Sequence, residues 1–163
     1  MEIDVEQLAR TLGEMLLARG WHVTCAESCT GGGIGAAITA IAGSSDWFGA
    51  GFITYSNAAK QQFLGVPEDT LASHGAVSQP VVEAMARGAL DRAGADMAVA
   101  VSGIAGPGGG TPGKPVGTVW IAVATHQDTV AQCRHFTGDR ARVRSLTVEA
   151  ALESLIQQAK NTV

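Results

Sequence analysis

Helical and strand patterns alternate along this chain and end in two neighbouring strands, which predicts a layered α/β domain built on a mixed sheet. Three observations carry that expectation. Amphipathic segments of helical period alternate with short β-branched runs. Residues 97–101 form a nearly continuous apolar run, the mark of a strand buried on both faces. Residues 118–124 and 129–136 read as strands joined by a short polar turn. Alanine and glycine fill much of the remaining space, which suits helices packed closely on a sheet. At 163 residues, the expected organisation is one domain, 1–163, with a full core.

The elements follow in order. Val5, Leu8, Leu12, Met15 and Leu16 recur at helical spacing, so residues 4–19 read as an amphipathic helix that Gly20 ends. A short strand at 22–26 leads into Gly31, Gly32 and Gly33, after which Ile34, Ile38 and Ile41 resume helical spacing. Residues 48–55, aromatic and β-branched, read as a strand. Asn57 is placed to cap a helix that runs through Phe63 and stops at Gly65. Ser78-Gln79-Pro80 opens another helix, carried to Ala93, and the proline is tolerated because first-turn N–H groups have no intrahelical partner. A loop rich in glycine and proline occupies 103–117. Gly138-Asp139 precedes the last helix, whose apolar stripe is Val148, Leu152, Leu155 and Ile156. No repeat, linker or low-complexity segment interrupts the pattern.

Composition narrows the function classes. A formal net charge of −4 lacks the basic footprint of a general nucleic-acid binder. No apolar run approaches a membrane span, and Met1-Glu2-Ile3-Asp4 is unlike a signal peptide, so neither nucleic acid nor membrane is an expected partner and the expected compartment is the cytoplasm. Cys25, Cys29 and Cys133 show no zinc-type spacing and read as reduced thiols. His22, His74, His126 and His135 are scattered and stand in no recognisable constellation. No metal and no cofactor is expected.

Three stretches look like chemistry. The run Ala26-Glu27-Ser28-Cys29-Thr30-Gly31-Gly32-Gly33 sets a hydroxyl, a thiol and a second hydroxyl where a strand hands over to a helix. A helix start offers unsatisfied N–H donors and partial positive charge, so a nucleophile there has its oxyanion stabiliser beside it. The plain alternative is an N-cap followed by a flexible turn. In Tyr55-Ser56-Asn57-Ala58-Ala59-Lys60, the lysine falls in the first turn of its helix, where the dipole disfavours a cation and favours the neutral amine, a general base. With Ser28 it would complete a serine–lysine pair that needs no histidine. Arg140, Arg142 and Arg144 crowd another helix start, and Arg140 and Arg144 share a face suited to a phosphate; the plain alternative is a solvated basic face. Two further patterns are decoys. Residues 108–114 approach a P-loop, and 108–113 a dinucleotide motif, but Pro115 stands where the P-loop needs a hydroxyl and a strand follows where both need a helix.

Taken in order, Ala-Glu-Ser-Cys-Thr-Gly-Gly (26–32), Tyr-Ser-Asn-x-x-Lys (55–60), Ser-Gly-Ile-Ala-Gly-Pro (102–107), Lys-Pro-Val-Gly-Thr-Val (114–119) and Gly-Asp-Arg (138–140) resemble the CinA C-terminal domain family, over essentially the whole chain. The likeness is to its stand-alone members, without the N-terminal domain of molybdopterin-binding type that longer relatives carry. The resemblance implies a three-layer α/β/α domain with a mixed, mostly parallel five-stranded sheet. It also implies hydrolysis of the carboxamide of nicotinamide mononucleotide to nicotinate mononucleotide and ammonia, which recycles pyridine nucleotides. On the matched motifs Ser28 is the implied nucleophile, Lys60 its base and Tyr55 a further catalytic hydroxyl. Ser102 is a further matching hydroxyl near the site. With it, Thr30, Gly31, Gly32, Asn57, Gly103, Gly106, Arg140 and Arg144 are the expected substrate-binding residues, the turn's N–H groups for the oxyanion and Arg140 or Arg144 for the phosphate. Two rival readings stay open at this point, a hydrolase using Cys29 and a non-catalytic nucleotide-binding module. Small α/β enzymes commonly form symmetric oligomers, so a homo-oligomer is the expectation.

Overall fold

Large and small apolar residues alternate along the central strands, and this decides which helices cover which face. The structure, a computed structural model, describes residues 4–162; Met1, Glu2 and Ile3, part of the opening read above as unlike a signal peptide, lie outside them. In chain order the elements are α1 (Val5–Arg19), β1 (Val23–Glu27), α2 (Gly33–Thr39), a 3-10 turn (Ser44–Asp46), β2 (Phe52–Ile53), α3 (Asn57–Leu64), α4 (Glu68–His74), α5 (Gln79–Ala93), β3 (Met97–Gly103), β4 (Thr118–Thr125), β5 (Thr129–His135) and α6 (Arg140–Asn161).

The sheet has five strands in the order β2-β1-β3-β4-β5. β1 runs parallel to both β2 and β3, while β4 is antiparallel to β3 and β5, so only β4 opposes the common direction. The sheet is mixed and mostly parallel, and helices cover both faces. Met97, Val99 and Val101 of β3, with Val119, Ile121 and Val123 of β4, share a core with α1, α2 and α6. Ala98, Ala100, Ala122 and Ala124 face the other way, against α4, α5 and the end of α3. Small side chains on that face let α5 lie close. Gly88 continues the theme, because a Cβ there would stand 2.0 Å from the Leu64 carbonyl oxygen at the end of α3. That close approach seats the helix that carries Lys60.

Three expectations need correction. Residues 48–55 contribute only Phe52 and Ile53 to the sheet, with an isolated bridge from Phe48 to Val23. Between the two pairings this segment advances four residues (48 to 52) while β1 advances three (23 to 26), and the extra residue, among Gly49, Ala50 and Gly51, breaks the ladder. Ser56, not Asn57, caps α3, its Oγ accepting from the Ala59 N–H at 3.0 Å. Helix α4 was not expected, although Glu68 and Asp69 in its first turn, the buried Leu71 and Gly75 after it are ordinary helix signals. Smaller shifts lengthen β3 to Gly103 and move β1 one residue later. No helix of the described residues is long and apolar enough to cross a membrane.

Candidate active site

β1 and β3 are parallel neighbours whose chain departs to opposite sides, from β1 to the edge strand β2 and from β3 to β4. Loops diverge at the carboxyl ends of such a pair and leave a crevice. Here the crevice is a cavity of about 310 Å³, at the small end of the range for ligand pockets. Its lining joins Ser28 and Cys29 after β1, Tyr55, Asn57 and Lys60 around the start of α3, Ala76 and Val77 before α5, Ser102 and the loop to Gly109 after β3, and Arg140 of α6. None of the four histidines lines it.

Lys60 sits at the base of the site, 1 % exposed. Its Nζ lies 3.0 Å from Ser28 Oγ, 3.0 Å from the Thr54 carbonyl oxygen and 3.1 Å from that of Tyr55. Among the described residues no carboxylate pairs with it. Burial lowers its pKa from the ordinary 10.5, with the Cys29 thiol acting the other way. A neutral amine has two hydrogens and one lone pair. With three partners in reach, the ammonium can donate to all of them; in the neutral form, two hydrogens on the two carbonyls would leave the lone pair for the Ser28 hydroxyl.

Ser28 opens the turn between β1 and α2 and is 8 % exposed. Gly31 and Gly32 hold φ values of +57° and +109°, which side chains with a Cβ rarely adopt. The start of α2 differs from the sequence expectation in one respect. Its N–H groups at Ile34 and Gly35 donate to the Glu27 carboxylate at 2.8 and 3.0 Å, and the Thr30 hydroxyl donates to the same group. The Gly31 N–H is bonded to the Ser28 carbonyl. Thr30, Gly31 and Gly32 do not line the cavity. Among the described residues the N–H groups of Cys29, Thr30 and Gly32 donate to no other residue, and of these three only Cys29 lines the cavity. Glu27 stands in the first motif, but nothing in its spacing showed that its carboxylate would cap α2.

The two arginines separate. Arg140 lines the cavity and donates to the Gly106 carbonyl at 2.8 Å and to the Tyr55 hydroxyl at 3.2 Å. Arg144, one turn later, donates from Nε to the Cys29 carbonyl and from Nη2 to the Thr30 carbonyl, both at 3.1 Å, and does not line the cavity. Backbone carbonyls, not an anion, answer this second cation. Tyr55 is 62 % exposed, Asn57 is at the rim, and Ser102, Gly103 and Gly106 lie along the far wall.

Cys29 is buried, and desolvation pushes its thiol up to about 11, so it stays protonated at neutral pH. That removes the support for a thiolate nucleophile. Loop 104–117 leads into β4, not a helix, so it cannot cradle a phosphate as a P-loop does. Among the described residues no three His, Cys, Asp or Glu side chains gather as a metal site.

Residues 5–159 match the family model of the CinA C-terminal domain. The chain is 56 % identical over 156 residues to a protein of Escherichia coli K12 named nicotinamide-nucleotide amidohydrolase PncC, covering 95 % of this chain and 94 % of that one. A Pseudomonas putida protein of the same name is 57 % identical over 153 residues, covering 94 % and 96 %. The crystal structure of a CinA superfamily protein from Klebsiella pneumoniae superposes with a TM-score of 0.95 at 41 % identity, covering 98 % of this chain and all of that one.

Proposed function

The chain belongs to the CinA C-terminal domain family, and from that premise we propose that it is an amidohydrolase converting nicotinamide mononucleotide to nicotinate mononucleotide and ammonia, with Ser28 as nucleophile and Lys60 as base. One observation carries the reading: the Lys60 amine, buried and without a counter-ion among the described residues, sits 3.0 Å from the Ser28 hydroxyl, and both residues line the cavity of about 310 Å³. The two relatives named above supply the substrate class.

Lys60 takes the Ser28 proton as Oγ bonds to the carboxamide carbon. The ribosylated pyridinium ring withdraws electrons and makes that carbon more electrophilic. The tetrahedral oxyanion is held by the N–H of Cys29, which follows the nucleophile and lines the cavity. The Lys60 ammonium then protonates the leaving amine, the C–N bond breaks, and ammonia departs from a nicotinoyl ester on Ser28. Lys60, neutral again, deprotonates a water that attacks the ester. Nicotinate mononucleotide leaves and the proton returns to Ser28. Arg140 meets the substrate phosphate, with the Tyr55 hydroxyl beside it. The proposed setting is pyridine-nucleotide recycling in the cytoplasm.

Ammonia release from nicotinamide mononucleotide, its riboside and free nicotinamide tests the proposal. Turnover should be fastest with the mononucleotide. Binding of the mononucleotide with no ammonia from any of the three would instead favour a nucleotide-binding module.

A further inference from the structure

We infer that Glu27 and Arg144 are positioning residues that grip the Ser28 turn from two sides, one by its donors and the other by its acceptors. Glu27, at the end of β1, is 1 % exposed. A carboxylate so buried is tolerated only when hydrogen bonds satisfy it. Here both its oxygens accept, from the Thr30 hydroxyl and from the N–H groups of Ile34 and Gly35. Arg144 arrives from α6 and takes two successive carbonyls, of Cys29 and Thr30. Neither side chain has an ion-pair partner among the described residues; besides these contacts Glu27 meets only the Cys25 thiol, at 3.7 Å.

The grip has a chemical consequence. A turn containing two glycines at positive φ has little stiffness of its own. Yet the Ser28 oxygen must stay aligned with Lys60, and the Cys29 N–H must stay aimed at the oxyanion. Holding Thr30 by its hydroxyl on one side and its carbonyl on the other fixes the peptide planes in between. The inference rests on the assignment of Ser28 as nucleophile but not on the identity of the substrate.

The test compares Glu27→Gln, Thr30→Val, Arg144→Ala and Arg144→Lys, with Ser28→Ala as the blank. Two rates are read per folded molecule: ammonia release from nicotinamide mononucleotide, and labelling by a fluorophosphonate, in which serine oxygen bonds to phosphorus and fluoride leaves. A displacement of about 1 Å at a reacting group can cost about 100-fold. Glu27→Gln and Arg144→Ala should therefore lower kcat and labelling about 10- to 100-fold, with KM within about twofold. Arg144→Lys, or dilute guanidinium added to Arg144→Ala, should restore part of both rates. Should Glu27→Gln fail to fold, Thr30→Val, which leaves the carboxylate and its two backbone bonds in place, gives the same reading on the donor side. Wild-type labelling and kcat in the folded variants, with only the melting temperature lowered, would overturn the inference. Loss of mononucleotide turnover in the wild type, with labelling still sensitive to these variants, would sink the proposed substrate and leave the grip standing.

Discussion

The loops that leave β1 and β3 start from neighbouring strand ends and border one cavity, yet they are built in opposite ways. The first is a turn of five residues, 28–32, held by Arg144 on the Cys29 and Thr30 carbonyls and by Glu27, which takes the Thr30 hydroxyl and the first N–H groups of α2. The second runs from 104 to 117; backbone bonds close its base at Ile104 and Gly117 and its tip at Thr111 and Lys114. The glycine-rich stretch between is held by the Arg140 bond to Gly106, and the Lys114 ammonium reaches the His74 carbonyl at 2.8 Å. A group that attacks must be held within tenths of an ångström, whereas a wall that receives a nucleotide must approach it closely and have room to adjust. The difference separates bond-making from binding. Variants at the first loop should lower kcat, and variants around the second should raise KM.

The largest expected effect breaks the first side of that comparison. Ser28→Ala should lose on the order of 10³-fold or more in ammonia release while still binding the mononucleotide. Near wild-type turnover would remove Ser28 as nucleophile. Lys60→Met comes next, with a loss on the order of 10²- to 10⁴-fold. Its pH behaviour sharpens the point. Because burial lowers the Lys60 pKa below 10.5, wild-type kcat/KM should rise with pH through that lowered value as the neutral amine accumulates, and the variant should lose this limb. Stability should follow the same sign. Between the folded value and 10.5 the unfolded chain binds the extra proton, so stability rises with pH in the wild type and not in Lys60→Met, measured by urea unfolding.

The remaining two predictions address the second side. Arg140→Ala removes a charge-assisted contact and should raise KM for the mononucleotide about 10- to 100-fold, with little change for free nicotinamide, which has no phosphate. Equal losses on both substrates would mean that Arg140 holds the Tyr55 and Gly106 wall and not the ligand. Lys114→Met should have the smallest effect, a rise in KM of about two- to tenfold, as expected for one hydrogen bond that closes a loop. A fall in kcat at constant KM would erase the contrast between the loops.

Most of the fold was legible because its signals are local. Period-3.6 stripes marked α1 and α6, the Ser78-Gln79-Pro80 start marked α5, and the nearly continuous apolar run of residues 97–101 marked a central strand. Where the expectation failed, the deciding interaction was remote. The aromatic content of 48–55 promised a full strand, but pairing was decided by a one-residue mismatch against β1. Asn57 and Ser56 are both good caps, and only the backbone path chose the serine. At the site, Ser28, Lys60 and Arg140 were recognisable as residue types in telling positions. The role of Glu27 was not, because a glutamate before a serine looks the same whether it faces solvent or caps the next helix. Arg144 looked like a phosphate ligand because it shares a helical face with Arg140.

The sequence alone determined which groups are available: a serine at a strand-to-helix turn, a lysine in a short helix, a glycine-rich loop and a basic helix start. Only the tertiary structure decided their charges and partners. The Lys60 amine is pushed toward neutrality by burial between α3 and the Ser28 turn, residues 32 positions apart, and Arg144 is turned from ligand to scaffold by carbonyls more than a hundred residues away. Desolvation and hydrogen-bond geometry depend on what surrounds a side chain in space, and neighbours in sequence do not specify that.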